Sequence, residues 1–299
     1  MIEKDFSELV LTDDFMFGKV MEDTSLCREF LECLLQVPVG ELTNLHSQKE
    51  FKDSNSGKPV RLDIYTEGDN TIYDGEMQNL NHHSIASLAL PKRSRYYQSA
   101  LDMDFLKKHM SYIALPNSEV IFICTFDPFG YGYWRYSFSE RCIEDKTLKL
   151  NSGISKHFFN CTYVGQDAPN DVLNLYQYII KGEVSDELTQ KLDQAVKNIR
   201  RNEQWRAEYM KELLIYEDKK EEGRAEGRAE GRVEGRAEGR AEGRAEGRAE
   251  GRAEGRIELI LSLIREGTFT IESASLKFNI PVEELLKQLR SDKISDTPN

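Results

Sequence analysis

The stretch between Val60 and Gln78 constrains the fold of this chain more than any other, because it has the pattern of a β-hairpin. Two runs rich in β-branched and aromatic residues flank the segment Glu67–Asn70, whose residues tolerate the positive φ angles of a tight turn. Side chains alternate between the two faces of a strand. The hairpin therefore predicts a sheet segment with one apolar face and one face rich in carboxylates.

Two or three carboxylates are expected to cluster on that face. A turn centred near Gly68-Asp69 would put Asp63 opposite Asp74, with Glu76 one step along the diagonal. Carboxylates this close repel one another, so they need a proton, a basic partner or a cation. Hard divalent cations prefer oxygen ligands, so Mg²⁺, Mn²⁺ or Ca²⁺ would fit; simple solvation of an exposed acidic face is the alternative. The predicted faces are Arg61, Asp63 and Tyr65 against Leu62 and Ile64 on the first strand, and Ile72, Asp74, Glu76 and Gln78 together on the second.

Composition limits the partners of the chain. With 299 residues, 39% hydrophobic and 31% charged, the chain can form one or two domains with a large solvated remainder. Its formal net charge of -12 gives no broad electrostatic attraction to DNA or to anionic membranes. This counts against a nucleic-acid role, although bound divalent metals would reverse the sign of the charge at a local site.

Cysteine usage and the N-terminal residues predict a cytoplasmic protein. The five cysteines are odd in number and include no Cys-x-x-Cys pair, which is typical of reduced core thiols. The polar, acidic start Met1–Asp5 does not have the pattern of a signal peptide. No apolar run approaches the roughly 20 residues of a membrane span, so no membrane partner is expected.

Hydrophobic periodicity predicts alternating helices and strands around the hairpin. Thr12–Asp14 is a helix N-cap signal, and the helical region that follows breaks near Asp23 and ends before Pro38. The continuous apolar run Glu119–Phe126 indicates a strand buried on both faces. Further predicted strands are 45–53, Gly132–Phe138, Lys146–Asn151 and Lys156–Val164, and further predicted helices are Ile85–His109, with a break or kink at Pro91, Val172–Ile180 and Glu187–Asp218.

A low-complexity block, Glu222–Ile257, contains nine consecutive Glu-Gly-Arg units with a period of four residues. On an α-helix this period makes each residue type a slowly wrapping stripe, and the glycines have the spacing that allows close helix approach. Each Gly also costs about 0.8–1 kcal/mol of helix stability relative to Ala. Three readings stay open: a helix held by self-association in a coiled coil, a flexible spacer, and an unselected product of DNA slippage.

The C-terminal segment after the repeat predicts three short helices, Ile257–Glu266, Ile271–Asn279 and Val282–Leu289. This order suggests a helix-turn-helix, but the segment 257–299 has five basic and seven acidic residues. A DNA-reading helix normally carries a basic surplus. A helical cap or oligomerisation module, and with it a homo-oligomer, is therefore the preferred interpretation.

The hairpin and its surroundings carry a family likeness. Asp63 on one strand, followed by Glu76-x-Gln78 on the next, resembles the PD-(D/E)xK nuclease core. Three further segments resemble the recombination-promoting nuclease and transposase family of this superfamily, namely Leu11–Phe17, Arg95–Tyr97 and Phe126–Gly130. The likeness is good over about residues 10–165 and looser elsewhere.

The resemblance implies a fold class and an activity. The implied fold is α/β, a restriction-endonuclease-like mixed sheet of four strands flanked by helices, plus a helical C-terminal extension. The implied activity is a metal-dependent DNA endonuclease that promotes recombination or acts in mobile elements. The expected segments are 1–168 for the nuclease-like domain, 169–220 for a helical extension, 221–256 for the repeat and 257–299 for the C-terminal module.

The resemblance also implies roles for individual residues. Asp63, Glu76 and the backbone carbonyl of Met77 would hold one or two Mg²⁺ ions, or Mn²⁺ or Ca²⁺. Gln78 occupies the place of the usual catalytic Lys, and it can orient a water but brings no charge. Arg93 and Arg95 could contact the DNA backbone, or could simply be exposed helix charges.

Some nearby residues have more than one interpretation. Asp74 is a possible auxiliary ligand, Tyr97 is expected in the core, and His82 and His83 could act as a base or ligand or be merely solvated. Because Gln78 lacks the charge of a Lys, a non-catalytic DNA-binding protein or an assembly protein with the same fold is the alternative function.

Overall fold

The computed structural model describes residues 4–51, 60–79, 88–106 and 111–295. It divides the chain into two compact units, Met1–Leu213 and Leu214–Asn299. The four-segment division expected from the sequence stays a prediction.

The secondary structure of the first unit comprises α1 (Asp14–Met21), α2 (Thr24–Leu35), β1 (Thr43–Phe51), β2 (Val60–Gly68), β3 (Thr71–Gln78), α3 (Leu90–Phe105), β4 (Asn117–Cys124), β5 (Arg135–Phe138), β6 (Ile154–Asn160), α4 (Asn170–Lys181), α5 (Glu187–Arg200) and the start of α6 (Glu203–Arg265).

The strands form one mixed sheet in the order β1-β2-β3-β4-β6-β5. β1, β2 and β3 are antiparallel neighbours, β3, β4 and β6 are parallel neighbours, and β5 pairs antiparallel with β6. The expected α/β class and mixed sheet are confirmed. The expected number of four strands is wrong, because β1 and β5 extend the two edges of the sheet to give six strands within the described residues.

The sheet separates two hydrophobic cores. The helical-layer core lies between the sheet and α1, α2, α4 and α5, and the α3-side core lies on the opposite face. β4 contributes to both, since Val120 and Phe122 lie in the α3-side core and Ile121 and Ile123 lie in the helical-layer core. This confirms the strand predicted to be buried on both faces.

Several helix boundaries follow from local capping. The Asp23 carboxylate accepts hydrogen bonds from the backbone N–H groups of Ser25 and Leu26, so it ends the α1 turn and starts α2. Pro91 lies in the first turn of α3, where its missing N–H costs nothing. Pro91 therefore starts this helix rather than kinking it.

Two predicted elements are wrong. The single helix Glu187–Asp218 is two helices, because the Asn202 side chain accepts hydrogen bonds from the N–H groups of Gln204 and Trp205 and caps α6. The strand Lys146–Asn151 is absent, apart from one isolated bridge at Lys149. Asp145 instead closes a local turn by accepting from the N–H and hydroxyl of Thr147.

The hairpin turn lies one residue later than expected. Asp69 and Asn70 have φ angles of 47° and 58°, and Gly68 pairs with Thr71, which defines a two-residue type I′ turn. Gly68 is the last ladder residue of β2, and a Cβ at this position would lie 3.2 Å from Leu42 Cδ2, which favours glycine there. Moving the centre of the turn by one residue changes the β3 partner of each β2 residue by two positions.

That shift changes which carboxylates face each other. Asp74 pairs with Tyr65, and Ile64 pairs with Gly75, so Asp63 lies beside Glu76. The predicted pairing of Asp63 with Asp74 is therefore wrong. The predicted shared face of Leu62 and Ile64 is also wrong, because Leu62 lies in the α3-side core and Ile64 in the helical-layer core. The alternation is interrupted at Asp63, where regular pairing with β3 ends.

The second unit contains most of α6, α7 (Ile271–Phe278) and α8 (Val282–Ser295). Ile260, Leu261, Ala274 and Leu285 form its small core. The predicted helices Ile271–Asn279 and Val282–Leu289 are confirmed, whereas the predicted helix Ile257–Glu266 is the C-terminal end of α6. The repeat is part of the continuous helix α6, and none of its nine glycines has another atom within 4 Å of its Cβ position, outside its chain neighbours and the nearby backbone of its own helix. In the described part of the chain, no helix combines the length and apolar character that crossing a bilayer requires.

Four of the five cysteines are buried, and only Cys142 lies outside a core. None forms a disulfide. Burial raises the pKa of the Cys27 thiol to about 12. The expected reduced core thiols are confirmed for Cys27, Cys33, Cys124 and Cys161.

We expect the hairpin register to depend on the residue at position 70. Asn70→Val should lower the free energy of unfolding by about 1–2 kcal/mol, because a β-branched residue is strained at positive φ. Asn70→Gly should be close to neutral, since Gly adopts this conformation freely. Chemical denaturation of both variants measures the difference; equal stabilities would contradict the type I′ turn.

Candidate functional site

Asp63 and Glu76 are joined by hydrogen bonds that involve the backbones of both strands. The N–H of Asp63 donates to Glu76 Oε1 at 3.1 Å, and the N–H of Met77 donates to Asp63 Oδ2 at 3.0 Å. Side chains thus take the backbone groups that the ladder no longer pairs beyond Ile64 and Gly75. The arrangement fixes two carboxylates side by side at the end of the hairpin.

Asp74, Glu76 and Gln78 follow one another on a single face of β3 and are all buried. Their exposed fractions are 0%, 2% and 6%. Neither side-chain oxygen of Asp74 has a hydrogen-bond donor among the described residues. Glu76 is the neighbour that can share a proton with Asp74, since two carboxylates form a hydrogen bond only when one is protonated. An unpartnered buried carboxylate is costly, so Asp74 indicates a missing proton or cation.

The carboxylate cluster (Asp63, Asp74 and Glu76) has strongly perturbed acidities. Burial raises the pKa of Asp63 to about 7, and the negative charge of Asp14 adds to this effect. The Met77 N–H and the Arg61 and Arg93 charges oppose it. Burial, and next the charge of Asp63, raise the pKa of Asp74 and Glu76 well above the usual carboxyl range. Three ionised carboxylates cannot coexist here without a counter-charge.

Arg93 reaches this cluster from helix α3. Its Nη1 donates to Gln78 Oε1 at 2.8 Å, and its Nη2 lies 3.4 Å from Glu76 Oε2. The same Nη2 donates to the Tyr97 hydroxyl at 2.8 Å. The Gln78 amide in turn donates to Glu76 Oε2 at 3.5 Å, the long end of the hydrogen-bond range. Arg93 and Gln78 thus form one connected network with Glu76.

The structure separates the two arginines that the sequence grouped together. Arg93 is 31% exposed and contacts the carboxylate cluster, whereas Arg95 lies on the exposed surface of α3. Residues two apart on a helix point to different sides, which accounts for the difference. His82 and His83 lie outside the described residues.

Two residues that act on the carboxylate cluster, Tyr97 and Asp14, were not predicted to belong to the site. Tyr97 packs against the α3-side core as expected, but its hydroxyl also holds Arg93. Asp14, in the first turn of α1, raises the pKa of Asp63 through its negative charge. Gly18 of the same helix lies close to Asp63, since a Cβ at Gly18 would be 4.0 Å from the Asp63 carbonyl oxygen. Helical spacing was the available signal for Tyr97, since residues four apart share one helix face with each other, as Arg93 and Tyr97 do.

The donor set suits a hard cation if backbone and solvent oxygens take part. No three His, Cys, Asp or Glu side chains among the residues that the structure describes are grouped so that they could hold a metal by themselves. Asp63 and Glu76 supply carboxylate oxygens, and no donor in the described ranges of the chain reaches the Asp74 oxygens while Glu76 is ionised. Oxygen donors with excess negative charge are what Mg²⁺ and related ions require.

Comparison with known proteins identifies the family of this chain. A family model described as "PD-(D/E)XK nuclease family transposase" matches residues 14–224, a span that contains the carboxylate cluster, Gln78, Arg93 and Tyr97. No curated protein and no solved structure matches the chain significantly. Because the match covers more than half of the chain and the fold agrees with it, the chain belongs to the PD-(D/E)XK nuclease family transposases.

Proposed function

We propose that this protein is a divalent-metal-dependent DNA endonuclease that promotes recombination, with Asp63 and Glu76 as its principal acidic residues. The observation that carries the proposal is the convergence of these two carboxylates beside the fully buried Asp74, whose oxygens accept no hydrogen bond in the described part of the chain unless Glu76 is protonated. Family membership supports a nuclease or transposase function in general. The metal, the endonuclease activity and the link to recombination are the proposed parts.

The residues proposed to hold the metal are Asp63, Glu76 and the backbone carbonyl of Met77, with Asp74 as an auxiliary group. Mg²⁺ is the proposed ion, and Mn²⁺ or Ca²⁺ would suit the same oxygen donors. When bound, such an ion lowers the pKa of a coordinated water and stabilises charge on a phosphate. The excess negative charge of the carboxylate cluster supports this assignment.

Gln78 is proposed to orient the attacking water. Arg93 Nη1 donates a hydrogen bond to Gln78 Oε1 at 2.8 Å, which fixes the direction of the Gln78 amide group. A Gln does not titrate, so Gln78 positions a water through hydrogen bonds and cannot act as its base. The acidic residues must then provide the activation that a Lys at this position would share.

Arg95 is proposed to bind the DNA backbone, together with Lys92 and Lys156. Lys92 and Arg95 are exposed on α3. Burial lowers the pKa of Lys156, the negative charge of Glu140 opposes this, and the positive charge of Arg95 lowers it further, which indicates that Lys156 and Arg95 lie near each other. A local group of cations on an acidic protein is suited to phosphate contacts that position DNA without reading its sequence.

Plasmid cleavage tests the proposed activity. Purified protein should cleave supercoiled DNA with added Mg²⁺ or Mn²⁺ and not with EDTA. Asp63→Ala and Glu76→Ala should each reduce cleavage by more than about 100-fold, since losing a ligand exceeds the 10–100-fold loss typical of outer-shell partners. Asp167→Ala, at an exposed loop position, is the matched control and should cleave normally.

The same assay separates the alternative function. Salt-sensitive DNA binding by the wild-type protein without any metal-dependent cleavage would favour a non-catalytic DNA-binding protein. Unchanged cleavage by both folded variants would remove Asp63 and Glu76 from the proposal.

The raised pKa of Asp63 predicts a pH dependence of stability. Its folded pKa of about 7 lies above the unfolded value of about 4, so the folded state binds more protons between these values. This group therefore makes metal-free protein less stable as pH rises through that window. In EDTA, Asp63→Asn should melt at a progressively higher temperature than wild type as pH rises toward 7, and Asp167→Asn should not.

Adding Mg²⁺ should raise the melting temperature of the wild type above pH 7 and leave Asp63→Asn nearly unchanged, because only the native wild-type site binds the ion. A pH-independent difference in melting temperature, with no response to metal, would contradict the proposed site.

Self-association through the repeat and C-terminal helices is the proposed route to a homo-oligomer. The glycine positions of α6 face open space at a spacing of four residues, which permits close approach of a second helix. Full-length protein should have a larger oligomeric mass by light scattering than a variant that lacks Glu222–Asn299. The same number of protomers in both proteins would contradict the proposal.

A further inference from the structure

Arg93 is a cation in contact with a site that otherwise carries excess negative charge. Asp63, Asp74 and Glu76 share a mostly buried space, and Gln78 next to them is neutral. Arg93 is the described cation that donates into this network, and its charge opposes the raised pKa of all three carboxyls. A phosphodiester brings further negative charge, so a site that accepts DNA needs a cation near the reacting group.

Several contacts hold the Arg93 guanidinium in one place. Its three hydrogen bonds go to Gln78, Glu76 and Tyr97, and they occupy three of its five N–H groups. Its Cζ atom lies 5.2 Å from the ring centroid of Tyr97 and 5.8 Å from that of Phe122. Cation–π contacts of this kind restrain a guanidinium without neutralising it.

Arg93 is restrained but not enclosed. Nearly a third of its side chain is exposed, whereas Glu76 beneath it is 2% exposed. The guanidinium therefore lies between the buried carboxylates and the surface from which a DNA strand would approach. A planar guanidinium also matches the geometry of phosphate oxygens.

We propose that Arg93 contacts the scissile phosphate of bound DNA and supplies the positive charge that Gln78 cannot, with Gln78 and Tyr97 as its positioning residues. The inference rests on the proposed nuclease function and deepens it. It differs from a general backbone contact, because Arg93 would act on the reacting group and Arg95 on flanking phosphates.

Single-turnover cleavage and equilibrium binding distinguish these roles in the full-length protein. Arg93→Gln should cleave about 100-fold more slowly at saturating protein, as expected for loss of a charge-stabilising donor. Its affinity for a duplex oligonucleotide without metal should change less than about threefold. Arg201→Gln, at an exposed position directly after α5, is the matched control and should bind and cleave normally. Arg95→Gln should bind more weakly, with a salt dependence reduced by about one unit.

Two further variants exclude a purely structural role. Tyr97→Phe keeps the ring but loses the hydroxyl that orients Arg93, so its cleavage rate should fall less than that of Arg93→Gln. Added guanidinium at millimolar concentration should speed cleavage by Arg93→Ala several-fold and leave its melting temperature unchanged.

The outcomes separate this inference from the function on which it rests. Wild-type protein that never cleaves DNA would remove both. Cleavage by the wild type together with normal single-turnover rates in Arg93→Gln would overturn the inference alone. A rate loss in Arg93→Gln that parallels a fall in melting temperature, with no guanidinium rescue of Arg93→Ala, would assign Arg93 only to neutralising Glu76 and would also overturn it.

Discussion

The candidate site depends on two hydrogen bonds at the place where the hairpin ladder stops. The Asp63 N–H donates to Glu76, and the Met77 N–H donates to Asp63. Each bond satisfies a backbone donor that would otherwise lack a partner inside the sheet, and each fixes a carboxylate. The same contacts that end the regular pairing of β2 and β3 therefore create the acidic pair. A turn only two residues long sets this register from about six residues away.

The site carries an electrostatic cost, because three carboxyl groups lie close together and two of them are fully buried. Burying Asp74 and Glu76 favours their neutral forms, and the charge of Asp63 adds to that preference. These groups are buried because the strands that carry them lie between two large apolar cores. Carboxyl groups with strongly perturbed pKa values are typical of catalytic and binding sites. One restrained arginine offsets part of the repulsion.

Much of this arrangement could be predicted from the sequence, for identifiable reasons. The hairpin, the doubly buried strand β4 and the capped helix α2 follow from patterns within a few residues of each other. The register was missed because Gly68, Asp69 and Asn70 all tolerate a tight turn, and local sequence does not distinguish between the two ways of centring it on these residues. The position of Arg93 could not be inferred for a similar reason. It depends on how α3 packs across the sheet, and periodicity identifies only the apolar face of a helix.

The hydrogen bond between Gln78 and Arg93 links two positions that a strand motif treats separately. The atoms that it joins are 2.8 Å apart, in a partly buried setting. A lysine at position 78 would bring an ammonium group against the guanidinium, where like charges repel far more strongly than they do in water. The neutral amide at position 78 instead accepts a hydrogen bond from the guanidinium. The choice of side chain at position 78 therefore affects the charge around position 93 as well as the strand that carries it.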